Sequence, residues 1–389
     1  MQSQTFSLYL HIPFCRAICT YCAFNTYSGM ENAIDAFVNA LNEELLYIAR
    51  QKPNLAIKTV FFGGGTPSML SIPQFELLFS TLNTHFNLLP NAEICIEANP
   101  NDITFSYLEG LKHVGINRLS LGMQSSDPKE LEMYGRQHDN RMVEDAISNA
   151  IKVGINNISL DLIFGNPHQT LDNWGRTLYQ AVSYQPKHIS LYGLEVKGGT
   201  VLKKQIQAGL LPTPDDDLAA DMYQLADEIL TVDGFRQYEL SNWSLPQHQA
   251  EHNLQYWRNL PYIGVGAGAH GYVDGYRTIV TRLPQRYITA MMHHGKSLRE
   301  FPRTPATSKI TPVNKESEML ETIMTGLRLT QEGLSIPMFE ERFGVNLYEL
   351  RRVEIDKLVQ LNMIEATETS LRLTKAGRFV SNRVISELV

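Results

Sequence analysis

The chain has 389 residues, of which 43% are hydrophobic, and 34 basic against 41 acidic side chains give a net charge of −7. That is enough apolar material for a large core, and too acidic a balance for a nucleic-acid surface, which is ordinarily basic. No apolar run reaches the ~20 residues a membrane-crossing helix needs. Met1-Gln2-Ser3-Gln4-Thr5-Phe6 lacks the charged-then-apolar order of a secretory leader, so a cytoplasmic, reducing setting is expected.

In chain order, Ser7–Ile12 reads as a strand that runs into a loop holding Cys15, Cys19 and Cys22. Three thiolates in C-x3-C-x2-C spacing hold three irons of a cubane cluster. The fourth iron is then left open to an amine and carboxylate such as those of S-adenosylmethionine. A zinc site with His11 nearby is the rival reading, yet zinc sites usually come as two spaced pairs and no second pair follows. The remaining cysteine, Cys95, sits in the alternating run Ala92–Ile96 and reads as a small buried hydrophobe.

Ala33–Arg50 carries Ile34, Phe37, Leu41, Leu45 and Ile48 at helical spacing. Ile57–Phe62 is a strand ending in Gly63-Gly64-Gly65-Thr66-Pro67, where glycines allow close backbone approach to a ligand. Helix Ile72–Phe86, strand Glu93–Glu97, helix Phe105–Val114 and strand Arg118–Gly122 come next. Helix Arg141–Val153, strand Asn157–Ile163, helix Leu171–Tyr184 and strand His188–Leu191 complete the series. Six strands in β-α alternation predict an α/β fold, an incomplete six-stranded (β/α) barrel. Gly64, Gly65, Thr66, Glu97, Gln124 and Asp161 fall at C-terminal strand ends, where such sheets place their sites. Asp161 stands among apolar neighbours and needs a partner there, a ribose hydroxyl, Arg136 or Arg118.

Thr213-Pro214-Asp215 opens a further helix, and an aromatic- and glycine-rich region extends to about Arg299. Within it, His252-Asn253-Leu254-Gln255-Tyr256-Trp257 groups residues that hold a large planar ligand. His252 is either an iron ligand or a histidine satisfied within the fold. His248, four residues earlier, shares its face if the segment is helical. Ile263–His270 is another glycine-rich strand end. Arg303–Lys315 reads as a linker. Helices Glu316–Leu329, Ser335–Phe343, Leu347–Asn362 and Ala376–Leu388 and a strand at Leu371–Leu373 then form a small winged-helix-like unit. Domains of 1–300 and 316–389 follow, joined by 301–315. The acidic C-terminal unit is read as a packing or protein-contact module, not a DNA binder.

Tyr9–Cys22, Gly63–Ser68, Glu97–Pro100, Arg118–Gln124, Gly135–His138 and Asp161–Gly165 together resemble the radical S-adenosylmethionine family that includes oxygen-independent coproporphyrinogen III oxidase. Within it the chain resembles the HemW-type haem chaperones. The oxidase has a further cysteine two residues after the third, where this chain has Phe24, and a longer N-terminal arm. The His252–Trp257 run matches the haem-binding group's signature. One departure is His168, which stands where the family usually has glycine.

The resemblance implies a 4Fe-4S cluster on Cys15, Cys19 and Cys22. It implies S-adenosylmethionine contacts from Tyr9, Tyr21, Gly64, Gly65, Thr66, Glu97, Gln124, Arg136 and Asp161, and haem near His252. It further implies a chaperone that passes haem to apo-haemoproteins such as respiratory cytochromes, with a homodimer compatible, no nucleic acid, and at most transient membrane contact. The runner-up is radical decarboxylation of coproporphyrinogen III.

Overall fold

The computed structural model describes residues 4–293 and 299–389. Met1 to Ser3, and residues 294–298 within the expected aromatic- and glycine-rich region, lie outside the described residues. Six strands follow the expected alternation: β1 (Phe6–Ile12), β2 (Ala56–Gly64), β3 (Asn87–Ala98), β4 (Arg118–Gln124), β5 (Asn157–Phe164) and β6 (His188–Gly193). They lie side by side in chain order and all pair in parallel. Between them run α1 (Ile34–Gln51), α2 (Ile72–His85), α3 (Phe105–Val114), α4 (Pro128–Tyr134), α5 (Asn140–Lys152) and α6 (Leu171–Ser183).

The period-two pattern of each strand explains its placement. Leu8, Leu10, Val60, Phe62, Ile96, Leu119, Leu121 and Leu160 are fully buried in one core with Phe37 and Leu41 of α1 and Phe75 and Leu78 of α2. Burying each such side chain is worth about 1.5–3 kcal/mol. The alternate residues share the other face of the sheet, which forms the barrel lumen. They include Ser7, Tyr9 and His11, Glu93 and Glu97, Arg118 and Ser120, Ser159 and Asp161, and His188 and Ser190. Helix starts are capped by side chains. Ser71 and Gln74 make a reciprocal capping box, and Thr104, Asp139 and Thr170 accept from backbone amides of their first turns.

Six further strands extend the sheet. The helices α7 (Val201–Gln207) and α8 (Asp216–Val232) precede β7 (Arg236–Glu239) and β8 (Asn242–Ser244), with β8 antiparallel to β6. The short α9 (Glu251–Trp257) leads to β9 (Tyr262–Val265), which pairs in parallel with the outer side of β1. Strands β10 (His270–Val273) and β11 (Tyr276–Val280), helix α10 (Pro284–Met292) and strand β12 (Thr307–Pro312) follow. The twelve-stranded sheet ends at β12 and β7, an open partial barrel. The expected linker thus contains a strand, antiparallel to β11. It is a mostly exposed edge strand ending in proline, and such a strand has the composition of a linker.

The C-terminal part comprises α11 (Lys315–Gly326), β13 (Leu334–Ser335), α12 (Ile336–Phe343), α13 (Leu347–Leu350), α14 (Arg352–Gln360), β14 (Ile364–Ala366), β15 (Ser370–Leu373), α15 (Lys375–Phe379) and α16 (Ser381–Ser386). Helices and a three-stranded wing surround a separate apolar core that also takes in Leu240. Two expected helices are each broken in two. Arg351 and Val380 leave helical geometry at φ −129 and −117 with positive ψ. Among the described residues no helix is long and apolar enough to cross a membrane.

His168, the departure from glycine, is exposed and has φ +66. A side chain there costs about 1–2 kcal/mol in the left-handed region, and more when β-branched. His168→Val is therefore expected to lower the thermal midpoint by a few degrees, while His168→Gly leaves it at or above the wild-type value. Equal melting of the valine variant and the wild type would contradict this account.

Candidate functional site

The cysteine loop leaves β1 through Pro13 and Phe14 and is tied at several points. Gly65 N–H donates to Ile12 O at 2.8 Å and Thr66 N–H to Phe14 O at 2.8 Å, which locks the Gly-Gly-Gly turn against the loop's entry. A Cβ on Gly65 would stand 2.5 Å from Phe14 O and 3.0 Å from Cys15 Sγ. Gly64 has φ +115, and a Cβ there would meet the His11 ring at 2.6 Å. Farther along, Thr20 bonds to Tyr134 O and Met133 O at 3.1 and 2.7 Å. At the exit, Asn25 donates to Ala267 O and Arg282 O at 3.0 and 3.1 Å.

His11 fixes the same exit from inside. Its Nε2–H donates to Asn25 O at 3.0 Å, so Nδ1 carries the lone pair that accepts the Tyr9 hydroxyl at 2.9 Å. Both nitrogens are committed, which removes His11 as a metal ligand in this geometry.

Cys15 is buried, whereas Cys19 and Cys22 are half-buried. Burial, then the neighbouring thiols, push the Cys15 thiol upward despite a hydrogen bond from Thr66. Burial likewise raises Cys22. Thiols held this way gain most from metal coordination, which removes the proton. Among the described residues no three His, Cys, Asp or Glu side chains gather closely enough for a single ion.

A belt of side chains joins Cys15 to Tyr21. Thr66 donates to Cys15 Sγ at 3.5 Å, and Asn99 to Thr66 Oγ1 at 3.4 Å. Arg136 donates to Asn99 Oδ1 at 2.5 Å and to the Tyr21 hydroxyl at 2.9 Å, while its buried Nε has no partner among the described residues. Gln124 has φ +64 and lies beside Arg136. A Cβ on Gly122 would be 2.7 Å from Gln124 Nε2 and 3.3 Å from Arg136 Nη2. Asn99 is the link in this belt that motif reading passed over, although its place at the end of β3 beside Glu97 was the available signal.

The two expected carboxylates face the lumen from adjacent regions of the sheet. Glu97 accepts the Gly64 N–H at 3.1 Å, and burial followed by the Asp161 charge pushes its pKa to about 7. Asp161 accepts the Ser120 hydroxyl at 3.0 and 3.1 Å and that of Ser159 at 3.5 Å, and burial raises it. Its partners are therefore serines. Arg118 instead pairs with Glu93 at 3.4 Å, and Arg136 serves the belt. Tyr9, expected in the same site, directs its hydroxyl to His11 and stacks on Phe61 at 6.1 Å.

His252 departs from the expectation of an open ligand. It is 1% exposed, with Nδ1 2.7 Å from Thr59 Oγ1 and Nε2 2.8 Å from the Tyr256 hydroxyl. Neither nitrogen is free for iron in this conformation. Burial lowers its pKa to about 3, so the ring is neutral. His248 lies before α9 in a loop and does not share its face. Its carbonyl accepts from Arg118 at 3.2 Å.

Because the folded Glu97 pKa of about 7 exceeds the usual carboxylate value, the folded chain holds more proton than the unfolded one from about pH 4 to 7. Stability from this group therefore falls as pH rises through that window. The melting advantage of Glu97→Gln over the wild type is expected to widen by a few degrees between pH 5 and 8. A constant gap would show a solvated carboxylate.

Residues 9–179 match the Radical SAM superfamily, and residues 313–380 match the HemN C-terminal domain. The chain is 36% identical to heme chaperone HemW of Bacillus subtilis, with 97% of each chain covered. It is 35% identical to heme chaperone HemW of Escherichia coli, covering 72% of this chain and 75% of the other. Radical S-adenosyl methionine domain-containing protein 1, mitochondrial, of Danio rerio is 37% identical over 68% of this chain and 60% of its own length. Coproporphyrinogen III oxidase (HemN) from Escherichia coli superposes with a TM-score of 0.84 at 20% identity, covering 99% of this chain and 90% of that one, which shows a shared fold. With a loop of three cysteines at the mouth of a partial barrel and a HemW relative alike over 97% of both chains, this chain belongs to the HemW family within the radical S-adenosylmethionine superfamily.

Proposed function

We propose that the chain binds haem and hands it to apo-haemoproteins, respiratory cytochromes among them. It would carry a 4Fe-4S cluster on Cys15, Cys19 and Cys22 and S-adenosylmethionine against the neighbouring strand ends. The observation that carries the reading is the likeness, over 97% of both chains, to a protein named a haem chaperone. Phe24, 75% exposed, stands where the resemblance places the oxidase's extra cysteine. That argues against porphyrinogen decarboxylation.

The residues present fit the group they would hold. Cys15 lies against Gly65 and accepts from Thr66, and the loop is tied at both ends, which supports a cysteine loop ordered ahead of the metal. When bound, a three-cysteine cluster supplies one open iron for an amine and a carboxylate. The Gly63–Gly65 turn brings backbone close to Cys15 Sγ, and Glu97 and Asp161 would offer acceptors to a positively charged ligand. Arg136 and Asn99 set the Tyr21 ring beside the third cysteine.

The test is an anaerobic haem titration of the cluster-reconstituted chain, followed in the Soret band, then mixing with an apocytochrome. Saturable one-to-one binding and transfer are expected, with coproporphyrinogen III left unchanged in parallel incubations. No saturable binding together with porphyrinogen consumption would put the decarboxylase in its place. Gly65→Ala, whose Cβ intrudes on Phe14 O and Cys15 Sγ, is expected to lose most of its reconstituted iron while keeping wild-type far-ultraviolet circular dichroism.

A further inference from the structure

We propose that His252 is a positioning residue and not a haem ligand: with Tyr256 it pins α9 against the barrel lumen and braces the Tyr9–His11 pair that holds the cysteine loop. The hydrogen-bond directions account for both ring nitrogens. The Thr59 hydroxyl donates to Ser7 Oγ at 2.6 Å, so Thr59 Oγ1 accepts from His252 Nδ1–H at 2.7 Å. Nε2 then holds the lone pair, and the Tyr256 hydroxyl donates to it at 2.8 Å. Ser7 and Thr59 are wholly buried. Iron could reach His252 only by breaking one of these bonds inside a closed interior, leaving a buried hydroxyl unpaired.

The rest of α9 is held just as firmly. The amides of Glu251 and His252 donate to the Glu93 carboxylate at 3.2 and 2.9 Å, and Glu93 pairs with Arg118. At the other end the C-terminal part grips the segment. Arg328 lies 4.4 Å over the Trp257 ring, Arg258 makes two bonds to Glu332, and Asn259 donates to Thr322 at 3.0 Å.

From His252 the contact runs upward. Its ring stacks on Phe61 at 4.9 Å and faces Tyr9 at 6.3 Å. The Tyr9 hydroxyl bonds to His11, and His11 to Asn25 O, three residues past Cys22. A fully packed histidine at the lower end of this path sets ring positions at its upper end.

The inference rests on the chaperone reading only for its haem measurement. His252→Gln keeps one donor and one acceptor, and Tyr256→Phe frees Nε2. Both are made in the full chain, cluster-reconstituted, and examined by haem stoichiometry, the axial-ligand signature of ferric haem in electron paramagnetic resonance, and S-adenosylmethionine affinity. Wild-type stoichiometry and signature are expected in both, with affinity for S-adenosylmethionine about tenfold weaker in His252→Gln, the size usual for loss of an outer-shell support. A lost or altered axial signature in His252→Gln, at wild-type melting temperature and iron content, would overturn the proposal. So would tighter haem binding by Tyr256→Phe. If the wild type itself binds no haem, the chaperone reading fails separately. S-adenosylmethionine affinity then decides this inference, and unchanged affinity in both variants overturns it.

Discussion

Everything in this fold hangs on a polar barrel interior that must satisfy itself. Alternation along each strand sends leucine, isoleucine and valine outward to the helices and leaves serine, threonine, histidine, glutamate and arginine inside. A buried polar group without a partner costs several kcal/mol, so the lumen is stable only as a connected network. It is connected. His188 bridges Ser159 and the Tyr238 hydroxyl, His252 bridges Thr59 and Tyr256, and Arg118 joins Glu93, Asn157 and the carbonyl of His248. Such a network fixes the strand register from within. A one-residue slip in any strand would turn this polar set outward and bring leucine in.

The cysteine loop is shaped by the same rule applied over long sequence distances. Its regular structure is confined to a two-residue parallel pairing of Phe14–Cys15 with Tyr27–Ser28, and Ile18 and Phe24 stay largely exposed. Its course is imposed by the turn after β2, by α4, and by carbonyls of Ala267 and Arg282 more than two hundred residues away. Ordering the loop therefore waits on sheet assembly, because these partners meet only when β9 docks on β1. The three thiols are thus placed by the finished barrel and not by local preference.

This division explains what was legible in the residues. The six parallel strands were readable because their outward faces are uniformly apolar and their ends carry glycine, proline or capping residues. The cysteine spacing and the strand-end carboxylates were readable because chemistry restricts which residue types serve there. The partner of Asp161 was not, since a serine on the adjacent strand leaves no charge signature, and Arg118, the visible cation, pairs with Glu93 instead. The strand at Thr307–Pro312 was hidden by its exposure at the sheet edge. The commitment of His252 was hidden because Thr59, its partner, lies 193 residues away on another strand. Local pattern reports which face a residue takes, and long-range pairing decides what it meets there.

The upper lumen keeps one imbalance that the network does not remove. Glu97 and Asp161 are half-buried in the lumen, each is pushed upward chiefly by desolvation, the Asp161 charge adds to the strain on Glu97, and the Arg118 charge eases Asp161. Their hydrogen-bond partners are an amide and serine hydroxyls, and among the described residues no lysine or arginine bonds to either. In a medium of low polarity, two carboxylates so placed resist ionising together. A ligand with a positive centre would relieve both at once and draw both pKa values down. At the level of the strand ends, beside the cysteine loop, the interior therefore offers two acids without a cationic hydrogen-bond partner among the described residues. Toward the other end of the strands His252 and His188 are neutral and fully bonded, and the charges beside them, Arg118 and Glu93, pair with each other. The two levels thus differ: at the strand ends two acids lack a cationic hydrogen-bond partner, and at the other end the polar groups named above are paired and hold the barrel together.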